Sequence, residues 1–162
     1  MLKVILILLS IAVLCNSGQQ VKCVVDSNYF IPNFMANWFK ANEYCHYLGM
    51  RLVIVPDEDA QSKTVEMIKS TDKFNNVSTI LWIGASDLAH ESFFHWHGTG
   101  QPVQYSNWMD GQPDDASKVE HCVELRYVPV HGWNWHWNDR ECSAEQYFIC
   151  ENLEPGKEMV LF

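Results

Sequence analysis

Residues 112–142 decide the fold, and they read QPDDASKVEHCVELRYVPVHGWNWHWNDREC. A proline between two oxygen-bearing side chains, Gln112 and Asp114, is a candidate for a cis peptide bond in a tight turn. Such a turn could aim the side-chain oxygens of both residues at one point. Glu120 and the pair Asn138-Asp139 could then complete an all-oxygen cage, so the spacing predicts a site for a hard cation.

The acidic side chains of the sequence are concentrated around this stretch. Residues 110–145 hold eight Asp and Glu against three Lys and Arg. Carboxylates crowded in loops repel one another unless they share a cation. Calcium is the hard cation outside cells and takes roughly six to eight oxygen ligands from flexible loops. The charge pattern therefore predicts a calcium site.

The N-terminus predicts an exported protein. Lys3 is followed by an almost wholly apolar run over residues 4–14. That run is shorter than the about 20 residues that a membrane-spanning helix needs, and it fits a signal peptide. We expect a signal peptide over residues 1–17, cleaved after Ser17, and a secreted, extracellular product without membrane insertion.

The rest of the chain is expected to form one domain. Its 162 residues suit a single domain, and the net charge of −9 argues against a nucleic-acid binder. We expect an N-terminal extension over residues 18–28, a folded domain over 29–152 and a C-terminal tail over 153–162.

The cysteines of a secreted chain are expected to form disulfides. Cys15 leaves with the signal peptide, so five of the six cysteines remain, and one is free or bonded to another molecule. Spacing alone leaves their pairing open. Asn76 begins an N-glycosylation sequon.

The local patterns predict an α+β domain. Asn37 caps a helix that runs to about Leu48, and Asp57 caps a second helix that runs to about Ser70. Strands are expected over residues 52–55, 80–84, 93–96, 121–128 and 147–150. Residues 98–117 are rich in turn formers and predict long loops.

The chain resembles the C-type lectin domain over roughly residues 29–152. The similarity includes galactose-type members from insects. The matching residues are Asn37 to Cys45, Leu81 to Gly84, Gln112-Pro113-Asp114, Glu120, Cys122, Trp137-Asn138-Asp139, Cys142 and Phe148 to Glu151.

The resemblance implies specific bonds and ligands. It implies a C-type lectin-like fold of two helices and short antiparallel strands with two core disulfides, Cys45–Cys150 and Cys122–Cys142. It also implies calcium ligands that bind the sugar hydroxyls as well, with a preference for galactose or N-acetylgalactosamine, because exchanging acid and amide reverses donors and acceptors. The implied calcium ligands are Gln112, Asp114, Glu120, Asn138 and Asp139, and the first four also contact the sugar.

The sequence departs from galactose-type members beside the motif. Residues 115–119 contain neither the Trp that stacks on the sugar nor the glycines that brace it. We therefore expect Trp133 or Trp135 to supply the stacking surface. The alternative is that one of them fills the core, since neighbouring odd and even strand residues point opposite ways.

A second calcium site is expected from a further match to the family. Asp87, Glu91 and Asp115 fit an auxiliary site, together with the Glu120 carbonyl. His121 stands where the remaining acid would be, and a protonated His121 could weaken calcium binding at the main site.

Other function classes fit less well. No metalloprotease, hydrolase or phosphate-loop motif is complete, so we expect no enzyme. The resemblance favours a secreted glycan-recognition protein of innate immunity, whose partners are galactose-type glycans on cell, microbial or viral surfaces. The alternative is a lectin-fold interaction factor, salivary or antihaemostatic, with weak or no sugar binding. Cys23 lies outside the matching core and could link two chains, which would raise avidity.

Overall fold

The structure is a computed structural model that describes residues 28–153. The expected signal peptide, most of the N-terminal extension, Cys23 and most of the C-terminal tail lie outside these residues. None of the helices within residues 28–153 is long and apolar enough to cross a membrane.

The two predicted helices are present with the predicted caps. Helix α1 spans Trp38–Tyr47 and α2 spans Glu58–Lys69. The side chain of Asn37 accepts the Lys40 N–H at 2.9 Å, and that of Asp57 accepts the Ala60 N–H at 2.8 Å. Each cap supplies a partner to an N–H that the first helical turn leaves unpaired, and so fixes where the helix begins.

Between residues 28 and 153, nine strands form two sheets. They are β1 Tyr29–Phe30, β2 Met50–Leu52, β3 Thr79–Ser86, β4 His95–Trp96, β5 Gln101–Pro102, β6 Glu120–Val128, β7 Trp133–Glu141, β8 Tyr147–Phe148 and β9 Cys150–Asn152. One sheet has the order β1-β9-β2, and the other has β5-β4-β3-β6-β7 with β8 parallel to β3. The α+β architecture is confirmed.

Several strand boundaries differ from the prediction, and the short strands β1 and β5 were not expected. The strand expected over residues 52–55 is β2, Met50–Leu52, although Val53 and Val55 are fully buried. The strand expected over residues 93–96 is shorter, at His95–Trp96. The strand expected over residues 147–150 is divided between β8 and β9. Strand β7 is absent from the predicted strands. Its residues 133–138 nevertheless alternate between Trp and polar side chains, a period of two that indicates a strand.

Both predicted disulfides are present. Cys45 of α1 is bonded to Cys150 of β9, and Cys122 of β6 is bonded to Cys142 beyond the end of β7. Their sequence separations are 105 and 20 residues. By the chain-entropy model they contribute about 3–5 kcal/mol each, the longer loop contributing more.

Helix α2 fixes the position of β7, the strand that carries part of the site. The Trp137 indole N–H donates to Gln61 Oε1 at 2.9 Å, and Gln61 Nε2 donates to the carbonyl of Trp135 at 2.8 Å. All three residues are buried. In the β6–β7 pair, Glu124 lies opposite Asn138 and Val123 lies opposite Asp139.

Candidate functional site

Three acidic side chains from separate segments come together at one end of the β6–β7 pair. Asp114 lies in the loop before β6, Glu120 is the first residue of β6, and Asp139 lies in β7. One carboxylate oxygen of each lies within 4.8 Å of the others. We call this group the oxygen cluster; its members Glu120 and Asp139 are buried.

Backbone donors hold the oxygen cluster together. The Asp139 carboxylate accepts the N–H of Asp114 at 3.1 Å and that of Asp115 at 2.7 Å. The Asp115 carboxylate in turn accepts the Glu120 N–H at 3.1 Å. The loop is thereby fastened to both strands, and Asp114 is kept beside the other two carboxylates.

The electrostatics of the oxygen cluster favour a bound cation. Burial raises the pKa of Glu120, and the Asp139 charge raises it further. Burial also raises the pKa of Asp139, against the backbone N–H donors that lower it. Arg140 approaches Glu120 Oε1 at 3.4 Å from a half-exposed position. Since ionising these carboxyls is unfavourable without more positive charge, a cation would offset the cost.

Gln112 supplies a further sign that the site suits a hard cation. The peptide bond between Gln112 and Pro113 is cis, as the sequence predicts. The Oε1 atom of Gln112 is buried, and no residue from 28 to 153 donates a hydrogen bond to it. A buried acceptor without a partner costs about 1–3 kcal/mol, and a coordinated cation would remove that cost. Amide and carboxylate oxygens together are a donor set that calcium prefers.

Asn138 is held by a residue that the sequence analysis did not identify. Its Nδ2 donates to Glu124 Oε1 at 3.1 Å and also to the Asp139 carbonyl. Glu124 is 2% exposed and accepts further hydrogen bonds from Arg126 at 3.2 Å and Gln146 at 2.7 Å. With its nitrogen engaged, Asn138 has its amide oxygen left for a cation. The sequence signal that indicates this role is an acidic residue, Glu124, between the apolar residues Val123 and Leu125 of a predicted strand.

The expected second site has a different composition. Asp87 and Glu91 meet His121, with one ligand atom of each within 4.8 Å of the others. His121 Nδ1 lies 3.1 Å from Asp87 Oδ1 and 3.4 Å from Glu91 Oε2. Asp115 is not a member of this group; its carboxylate accepts the Glu120 N–H. We call Asp87, Glu91 and His121 the histidine cluster.

His121 belongs to the histidine cluster and not to the oxygen cluster. Side chains of successive strand residues point to opposite faces. Glu120 accordingly joins the oxygen cluster, whereas His121 contacts the two acids of the histidine cluster. The acidic side chains that His121 contacts are therefore Asp87 and Glu91.

Trp135 is not available to stack on a sugar. It is 5% exposed, belongs to the core, and its ring stacks on Tyr127 at a centroid distance of 4.9 Å and on Phe74 at 6.0 Å. The backbone of Trp135 has a left-handed φ of 62°. The alternative in which one of the two tryptophans fills the core is therefore correct.

Trp133 is half-buried and lies under the Arg126 guanidinium, 4.7 Å from the ring centroid. It lies five positions before Asn138 in β7, which corresponds to about 16 Å along a strand. Trp133 is therefore not adjacent to the oxygen cluster.

Comparisons with known proteins agree with this architecture. The family model "Lectin C-type domain" matches residues 35–152. A protein named "C-type lectin 16" from Aedes aegypti is 43% identical, over 87% of this chain and 94% of that relative. "Salivary C-type lectin 1" from Aedes albopictus is 41% identical, over 92% and 96%. The mouse scavenger receptor C-type lectin carbohydrate-recognition domain superposes with a TM-score of 0.62 at 29% identity, over 76% of this chain and 89% of that one.

Proposed function

Because this chain belongs to the C-type lectin family, whose fold binds carbohydrates and is not enzymatic, we propose that it binds galactose-type glycans through calcium. One observation carries the proposal: Asp114, Glu120 and Asp139 converge although they come from three separate segments. The unpaired oxygen of Gln112 supports it, since it adds a neutral donor to the three carboxylates.

The proposed calcium ligands are Gln112, Asp114, Glu120, Asn138 and Asp139. When bound, calcium would supply coordination positions for two neighbouring hydroxyls of a sugar. Carboxylate oxygens of Asp114 and Glu120 would accept hydrogen bonds from those hydroxyls, and the amide nitrogen of Gln112 would donate one. The Asn138 nitrogen already serves Glu124 and the Asp139 carbonyl, so it contributes less to the sugar unless one of those bonds opens.

The test is retention on immobilised galactose. We expect the protein to bind in calcium and to elute with EDTA. The double variant Gln112→Glu with Asp114→Asn should lose galactose and gain mannose, since it exchanges donors and acceptors around the sugar. Glu141→Gln, an exposed change in the same strand region, is the matched control and should behave as wild type. Retention that survives EDTA would contradict the proposal.

A second candidate function is a lectin-fold interaction factor with weak or no sugar binding. The burial of Trp135 and the distance of Trp133 favour it, because both expected stacking surfaces are missing from the oxygen cluster. Calorimetry distinguishes the two functions. Calcium binding without galactose binding would select the interaction factor, and binding of both would select the lectin.

We also propose that the protein is secreted, after removal of residues 1–17, and that it recognises glycans in innate immunity. The name of the Aedes albopictus relative, which includes "salivary", supports export. Asn76 is exposed, as a glycosylation acceptor must be. A glycan array with calcium, repeated in EDTA, would identify the sugar, and loss of the array signal on microbial glycans would contradict the immune role.

Cys23 is proposed to link two chains. Both disulfides of the described domain use the other four cysteines of the expected mature chain, so Cys23 has no partner among them. Non-reducing electrophoresis should show a dimer that Cys23→Ser converts to a monomer. A monomer of the unmodified secreted protein would contradict the link.

A further inference from the structure

A cavity of about 700 Å³ opens between helix α1, the end of β3 and strand β4. Pockets that hold small organic molecules measure roughly 300–1,000 Å³, so this one is large enough for such a ligand. Within the described residues, no member of the oxygen cluster or the histidine cluster lines it. The cavity is thus a separate feature from the proposed calcium and sugar site.

The walls of the cavity are largely aromatic and aliphatic. Trp38 and Trp96, 1% and 3% exposed, form part of the wall. Phe39 and Leu88 also line it and are 49% and 46% exposed. Large apolar side chains left in contact with water around a cavity are typical of a binding surface. An apolar ligand body would cover them.

The polar groups of the cavity are mainly hydrogen-bond acceptors. Glu43 contributes a carboxylate. His95 Nδ1 lies 2.9 Å from the Phe93 carbonyl, so in the neutral ring it carries the proton and Nε2 is left as an acceptor. Asn42, in the wall, is 9% exposed, and its Oδ1 has no donor within residues 28–153. A ligand that carries N–H donors matches these groups.

The charge of the cavity favours a cation. Glu43 lines it, and among the described residues no Lys or Arg does so. Burial and the neighbouring His46 lower the pKa of His97, which keeps that side chain neutral. Lys40 approaches Glu43 at 3.4 Å, but both side chains are more than 60% exposed, and such exposed pairs are weak. The chain as a whole carries −9, which also favours cations.

We infer that this cavity binds a small organic amine, with its apolar body against Trp38, Trp96 and Leu88 and its ammonium group at Glu43. Aromatic faces attract cations as well as apolar groups, so both parts of such a ligand are accommodated. The binding needs neither calcium nor the oxygen cluster. It therefore goes beyond the proposed function and does not depend on it.

Three indole probes that differ in charge test the inference. Tryptamine is a cation, indole is neutral, and indole-3-acetate is an anion. Calorimetry in EDTA should rank tryptamine above indole by about two- to fivefold, the scale that an ion pair with an exposed carboxylate contributes, and should show no binding of indole-3-acetate. No heat with tryptamine, or equal affinities for all three probes, would overturn the inference.

Two variants locate the binding within the molecule. Glu43→Gln should weaken tryptamine binding about two- to fivefold and leave indole binding unchanged, whereas Glu66→Gln, on the exposed face of α2, should change neither. Ala89→Phe should block both probes by filling the cavity. The urea denaturation midpoint in EDTA serves as the folding control for each variant. Unaltered tryptamine binding in both Glu43→Gln and Ala89→Phe would contradict the assignment to this cavity.

Discussion

The two acidic clusters differ in one kind of side chain, although they are built from neighbouring residues of β6. The oxygen cluster takes Glu120 and contains three carboxylates. The histidine cluster takes the next residue, His121, and pairs it with Asp87 and Glu91. His121 Nδ1 contacts both acids of its own cluster, at 3.1 and 3.4 Å. In the oxygen cluster Asp139 accepts two backbone N–H groups, and the cationic side chain at its edge is the half-exposed Arg140.

The hydrogen-bond partners of the carboxylates determine whether an acidic cluster requires a metal ion. Asp87 is 3% exposed, yet its oxygens accept from the Ser92 N–H at 2.8 Å and contact His121. Buried carboxylates with such partners are stable without a cation. Calcium also prefers oxygen to imidazole nitrogen. We therefore expect calcium to bind the oxygen cluster first and the histidine cluster weakly.

Separate substitutions of the neighbouring residues Glu120 and His121 test most directly whether the two clusters differ. Glu120→Gln removes one negative charge from the oxygen cluster and should lower calcium affinity at least about a hundredfold, since ligand charge sets affinity at such sites. His121→Gln should change it by less than about threefold. Isothermal titration with calcium measures both. Equal losses would show that the two clusters act as one site.

Glu124 tests how far the oxygen cluster depends on its support. Glu124→Leu leaves the donors of Asn138, Gln146 and Arg126 without an acceptor and should cost about 2 kcal/mol of unfolding free energy. It should also lower calcium affinity about tenfold, because the Asn138 amide is released. Urea denaturation in EDTA and calcium titration measure the two effects.

The conservative variant Glu124→Gln separates positioning from packing. It retains an oxygen that can accept from Asn138, and it should keep most of the calcium affinity. If Glu124→Leu binds calcium as wild type does, Glu124 stabilises the core without positioning a ligand.

The histidine cluster should respond in the opposite way to the oxygen cluster. Asp87→Asn weakens the contact with His121 and should cost about 1 kcal/mol of unfolding free energy in EDTA, the usual contribution of one hydrogen bond. Calcium affinity of the oxygen cluster should not change. A large loss of calcium affinity would instead place Asp87 among the ligands that matter for the main site.

Glu151 is a largely buried carboxylate that is paired with a cationic side chain, Arg51. It accepts from Arg51 Nε at 2.7 Å and from the Ile54 N–H at 3.2 Å. Burial nevertheless raises the pKa of Glu151, and these two donors oppose the shift. The folded protein holds the Glu151 proton to higher pH than the unfolded chain does. The contribution of Glu151 to the free energy of unfolding is therefore greatest at low pH and is lost as pH rises through the raised pKa.

The variant Glu151→Gln cannot titrate and should remove that part of the pH dependence. Its stability relative to wild type should therefore increase between pH 4 and pH 7, by a small amount. Denaturation in EDTA at both values measures the effect, with Glu66→Gln as an exposed control. A relative stability that falls over this range would contradict the sign.

Much of the fold was predictable because its signals are local. Asn37 and Asp57 fix the two helix starts through hydrogen bonds to residues three positions away. The cis bond before Pro113 was also expected from a tripeptide. The disulfide partners were not predictable from spacing, and only the resemblance to a family implied them.

The parts that were missed depend on contacts between distant segments. Glu124 became a support for Asn138 because the β6–β7 register places the two opposite each other. Asp115 accepts the Glu120 N–H and lies outside the group formed by Asp87, Glu91 and His121. Alternation left open which tryptophan enters the core, and packing against Phe74 and Tyr127 places Trp135 there.

The sequence by itself determined which chemical groups and patterns are present: an acidic, oxygen-rich segment, the helix caps, and a family pattern over most of the domain. Only the tertiary structure decided how these groups are shared between two clusters and which tryptophan enters the core. The physical reason is that spacing along a chain sets which groups lie near each other locally. Strand register and burial set which carboxylate gains a partner and which is left to attract a cation.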